Sequence, residues 1–73
     1  MIRVNLSLMM AKRKMKLNDL SALVGVSVTN LSLLKTEKVK GIRFKTLAAI
    51  CSALDCQPGD LLEYIDETQT VEL

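Results

Sequence analysis

The sequence predicts an all-α fold, a compact bundle of about five short helices, from three observations. Apolar residues recur at helical spacing in four successive segments, and Gly25 and the single proline, Pro58, fall outside them. Internal repeats and low-complexity tracts are absent from the 73 residues. A chain of that length makes a single domain over 1–73, whose folding buries only about 60% of its unfolded surface, so a large enclosed site is excluded.

The elements follow in order. Asn5 is a good N-cap, and Leu6, Met9, Met10 and Ala11 share a side before "KRK" places cations at the end of a first helix over 6–14. In "LNDLSALVG", Leu17, Leu20 and Val24 are in register, and Gly25, the residue that best tolerates a left-handed position after a helix, closes a second helix over 17–24. Ser27 N-caps a third helix over 28–35, with Asn30 where a full capping box would carry Glu or Gln. After "TEKVKG", the residues Phe44, Leu47, Ala48, Ile50, Cys51 and Leu54 form a stripe that demands packing, which gives a fourth helix over 44–54. Pro58 suits the first position of a last short helix, and Asp60 in its first turn complements the dipole. "MIRV" and "TVEL" are each long enough for a short strand, and pairing between them would tie the ends together. The core is expected over about residues 5–64, followed by an acidic tail over 65–73.

The third helix has apolar residues in two directions. Leu31 and Leu34 make a core stripe, which leaves Val28, Thr29, Ser32 and Leu33 as an outward face of methyls and hydroxyls. Charge is also uneven. All ten basic residues lie within 1–45, opposed there only by Asp19 and Glu37, and the other six acids follow from Asp55 onward. A charge run is most often just a solvated surface. Here the basic half also contains the helix with the unexplained outward face, and a dipolar molecule of this kind presents one end to polyanions.

Other chemistry is excluded by composition. His and Trp are absent, so no imidazole is present for acid/base work or metal binding. Cys51 and Cys56 lack the spacing of a zinc site or a CxxC redox pair and read as reduced thiols. No catalytic constellation, metal site, cofactor or small-molecule effector site is legible, and the expectation is a non-enzyme. No stretch reaches the roughly 20 apolar residues of a membrane span, and the charges follow the first apolar run, opposite to a signal peptide. The expected location is the cytoplasm.

Residues 17–35 meet each demand of a helix-turn-helix, in which one short helix braces a second against a DNA major groove. Leu20 and Val24 pack from the first helix of the pair, Ser21 is small where the two come closest, and Gly25 makes the turn. Val26 plugs the corner, and Leu31 and Leu34 pack back. "LSALVGVSVTNLSLL", a basic loop and then "TLAAICSALDCQPGDLLEY" resemble the Cro/C1-type helix-turn-helix domains of phage repressors and small bacterial regulators, over roughly residues 5–64.

That resemblance implies a lambda repressor-like bundle with the third helix in the major groove of double-stranded DNA, bound as a homodimer on a two-fold operator. Val28, Thr29, Asn30 and Leu33 match base-facing positions, and Ser32 adds a hydroxyl on the same face. Val28, the Thr29 methyl and Leu33 suit thymine methyls, whereas Thr29, Asn30 and Ser32 offer hydrogen bonds. Ser27, Lys38, Lys40 and Arg43 match positions at phosphates, with Arg43 also near the minor groove; Lys16, Lys35 and Lys45 complete the candidate phosphate-binding set. Two positions depart from the family pattern. Leu17 stands where a phosphate-bonding Gln is common, and Lys35 where a Glu is common. A reading face with two aliphatic side chains also fits an alternative, a helix-turn-helix scaffold reused as a protein-interaction module such as an antitoxin-like partner, with Val28, Leu33 and the acidic tail as contacts.

Overall fold

The computed structural model describes residues 1–66. Strand β1 (Ile2–Val4) leads into helices α1 (Leu6–Lys12), α2 (Leu17–Val24), α3 (Val28–Lys35), α4 (Phe44–Leu54) and α5 (Pro58–Leu61), and strand β2 (Leu62–Tyr64) follows directly. The five helices match the expected order, and α2, α3 and α4 have the expected bounds.

The helices converge on an aliphatic core. Leu6, Leu20, Leu31, Ile50 and Leu54 are its fully buried side chains, with Met9, Met10, Leu34, Leu47 and Leu61 around them. Each contributes about 1.5–3 kcal/mol by leaving water. Among the described residues no polar or charged side chain is buried, so the core is held by apolar burial alone. Leu17, Val24 and Val26 are half-buried against it, which makes Leu17 a packing residue of α2.

Three of the helices stop at left-handed residues that are not glycine: Lys14 (φ 52°) after α1, Glu37 (φ 62°) after α3 and Asp55 (φ 48°) after α4. At α1, the Lys14 N–H donates to the Ala11 carbonyl at 3.2 Å and the Met15 N–H to the Met10 carbonyl at 2.9 Å, the paired bonds of a Schellman turn. That turn ends α1 at Lys12, two residues short of the expected 14, and the exposed Ala11 lies off the buried side formed by Leu6, Met9 and Met10.

Other expectations need correction. Asn5 stands at the N-cap of α1, but its side chain does not cap; Nδ2 donates instead to Glu63 Oε1 at 3.2 Å. Phe44 and Ala48 are exposed, so the buried stripe of α4 is Leu47, Ile50 and Leu54 with Cys51 at its flank. Phe44 opens the helix one turn before the core begins and is left exposed. "MIRV" does supply a strand, but β1 pairs antiparallel with β2, in the register Ile2 with Tyr64, Arg3 with Glu63 and Val4 with Leu62. The expectation of a strand in "TVEL" lies outside the described residues. At α5, Pro58 takes the first position as expected, and Asp60 Oδ2 accepts the Gln57 N–H at 2.9 Å.

Candidate nucleic-acid interface

The site is built outward from the turn between α2 and α3. Gly25 takes φ 72°, a conformation that costs a side-chain-bearing residue about 1–2 kcal/mol, and its N–H donates to the Ser21 carbonyl at 3.0 Å. The Ser21 hydroxyl then donates to the Val26 carbonyl at 2.6 Å, closing the corner from inside. Ser21 thus bonds as well as being small, a role that residue size alone did not reveal. Across this corner the chain turns by 114°, within the range that a helix-turn-helix pair adopts. Ser27 caps α3, its Oγ accepting the Asn30 N–H at 3.1 Å.

Locked in that way, α3 divides into two faces. Leu31 and Leu34 are buried at 1% and 7% exposure, whereas Val28 and Leu33 are exposed at 39% and 38%. Thr29 and Asn30 are exposed beside them, and Ser32 is half-buried on the flank, less outward than the other four.

The end of α3 leads into the basic segment through Glu37. Its N–H and that of Lys38 return to the Leu34 and Leu33 carbonyls at 3.0 and 2.8 Å, and its Oε1 accepts the Val4 N–H from β1 at 2.8 Å. The one carboxylate of the segment is thereby turned onto a strand. Lys38, Lys40, Arg43 and Lys45 remain exposed, and Lys35 is half-buried. Asn30 of α3 and Arg43 and Thr46 at the start of α4 line one open hollow of ≈ 280 Å³, so a predicted base-reading residue and a predicted phosphate-binding residue share one surface.

Helix ends add to the positive field. The N-caps of α2 and α4 are Lys16 and Arg43, and neither helix has a side-chain cap. The first-turn N–H groups of α4 face no acidic side chain from its own first turn, so a cation sits at the positive end of the helix dipole. An anion at that position would answer both. Arg13, by contrast, belongs to the fold, because its guanidinium donates to the Leu54 and Asp55 carbonyls at 2.7 and 2.9 Å.

A family model described as the Cro/C1-type HTH DNA-binding domain matches residues 5–67. The chain belongs to that family. It is also 54% identical, over 69 residues covering 94% of this chain and 82% of the relative, to YozG of Bacillus subtilis (strain 168), named an uncharacterized HTH-type transcriptional regulator. These matches bear out the likeness read from residues 17–35 and the sequence that follows them. Membership in the Cro/C1-type family places the chain among DNA-binding transcriptional regulators. Among the described residues, no single helix is long and apolar enough to cross a membrane.

Proposed function

We propose that this protein is a sequence-specific regulator that lays α3 in the major groove, with the whole of 1–73 acting as a single helix-turn-helix domain ending in an acidic tail. One observation carries the reading. Leu31 and Leu34 anchor α3 in the core while Val28, Thr29 and Leu33 stay exposed on the same helix, beside a segment of exposed cations. In this reading Val28, Thr29 and Leu33 meet thymine methyls, and Thr29, Asn30 and Ser32 supply hydrogen bonds to base edges or nearby phosphates. Lys16, Ser27, Lys35, Lys38, Lys40, Arg43 and Lys45 hold phosphates, together with the uncapped start of α4; Ser27 does so with its hydroxyl proton while its Oγ caps α3. The protein works in the cytoplasm as a homodimer on a two-fold operator, with half-sites about 34 Å apart, and has no catalytic role and no effector.

The test has two stages. Enrichment of random duplexes on the purified protein identifies the operator. Thr29→Ala and Leu33→Ala are then expected to keep the fold and the salt-sensitive nonspecific binding while relaxing preference at one or two base pairs each, by up to about 1–3 kcal/mol. Uracil in place of the matching thymine should mimic Leu33→Ala. Replacing Lys40 and Arg43 together with Ala should weaken binding to all duplexes alike and flatten the log-log salt slope by roughly 0.9 for each phosphate left unneutralised. Variants that select the parental site with undiminished preference, yet lose a protein partner, would turn α3 into a protein-docking surface and overturn the reading.

A further inference from the structure

We propose that the Phe44 ring is itself part of the DNA interface, packing on the deoxyribose between the phosphates that Arg43 and Lys45 hold; this rests on the reading of the basic segment as the phosphate-facing side. Phe44 is 87% exposed, more than any other large apolar residue described, and it is the one phenylalanine of the chain. Its position explains the exposure. It opens α4, one turn before Leu47 enters the core, so the ring projects past the end of the buried stripe. Its neighbours are Arg43, at the rim of the hollow that joins α3 to α4, and Lys45, both exposed.

An exposed aromatic ring adjacent in sequence to two exposed cations, at an uncapped helix start, matches the make-up of a nucleic-acid strand. The phosphates answer the cations and the helix end, and the C–H faces of the sugar between them are the apolar part of the backbone. The ring therefore adds affinity without reading sequence. A second copy of this chain fits the same patch poorly, because a two-fold contact through residues 43–45 would bring Arg43 and Lys45 against their own equivalents.

The experiment compares the full chain with Phe44→Ala, Phe44→Leu and Phe44→Trp on short duplexes. Because the ring is exposed, all variants are expected to melt with the parent. Phe44→Ala should bind every duplex about five- to tenfold more weakly at fixed salt, the effect of failing to bury about half of a phenylalanine side chain, with the salt slope unchanged. Phe44→Leu should recover most of that loss. The chain has no tryptophan, so Phe44→Trp introduces a single reporter, whose emission should shift as duplex is added. Parental binding by Phe44→Ala, a silent reporter, a lowered melting temperature, or a parent that is dimeric while Phe44→Ala is monomeric would each overturn the proposal. A parent that binds no duplex at all would instead overturn the functional reading on which it stands.

Discussion

Arg13 caps Leu54: its Nε donates to the Leu54 carbonyl at 2.7 Å, joining the end of α1 to the last turn of α4. Nη2 reaches the next carbonyl, that of Asp55, at 2.9 Å, so one guanidinium satisfies two groups that the end of α4 leaves open. Charge-assisted bonds of this kind are the stronger ones, and Arg13→Ala is expected to lower unfolding stability by about 1–2 kcal/mol in denaturant titration. Arg13→Lys should restore only part, since an ammonium lacks the planar fork. DNA affinity at fixed salt, measured well below the melting temperature, should change far less than it does for Lys40 and Arg43.

Lys14 offers the opposite outcome. It holds φ 52° in the turn after α1, a position where glycine is at ease and a side chain is strained. Lys14→Gly should raise stability by about 0.5–1 kcal/mol, the relief exceeding the added freedom of the unfolded chain. Glu37→Gly gives the control: its backbone gains similar relief at φ 62°, but the Val4 N–H loses its acceptor, so no net gain is expected in thermal unfolding.

The Cys56 thiol is pushed above its ordinary value of 9.0, first by burial and then by the neighbouring Cys51 thiol and the Asp60 carboxylate, with Arg13 opposing. The unfolded chain then gives up this proton at lower pH than the folded one. Stability from this group is complete below 9.0 and declines as pH rises from there through the folded value. Cys56→Ala should flatten the alkaline part of the stability curve, and iodoacetamide should alkylate Cys56 in the folded protein at neutral pH more slowly than a free thiol.

Leu31 of α3 is 1% exposed in the core. Leu31→Ala is expected to cost about 2–5 kcal/mol, a large share of the stability of a domain this small. A melting temperature within a few degrees of the parent would contradict the assigned faces of α3.

Much of this fold was legible because its signals are local. Gly25 marks the end of α2, Ser27 the start of α3 and Pro58 the start of α5, and the helical spacing of Leu20, Leu31, Leu34, Leu47, Ile50 and Leu54 identifies the core without reference to distant residues. What was missed depends on contacts across the molecule. The side chains of Lys14 and Glu37 carry no sign that the backbone beneath them is left-handed, whereas Asp55 is of a type that visits that region more readily. Leu62 continues the apolar run of α5, so nothing in "DLLEY" announces the switch to a strand, and only its pairing with Val4 defines it. Phe44 fits the periodic stripe of α4, yet periodicity does not say where the core ends. The outward set Val28, Thr29 and Leu33 was legible by subtraction, as what remains once Leu31 and Leu34 are buried.

The pairing of β1 with β2 joins Met1 to Ile65, whose backbone N–H donates to the Met1 carbonyl at 2.8 Å. Closing a loop that long forfeits chain entropy before any contact offsets it, whereas the α2–α3 corner closes within a few residues. The corner is therefore expected to belong to the folding nucleus and the strands to zip last. Substitutions at Leu20 or Leu31 should slow refolding, and substitutions at Ile2 or Tyr64 should mainly speed unfolding. In native hydrogen exchange the ladder should open first, so the N–H groups of Arg3 and Glu63 would exchange while those inside α2 and α3 stay protected.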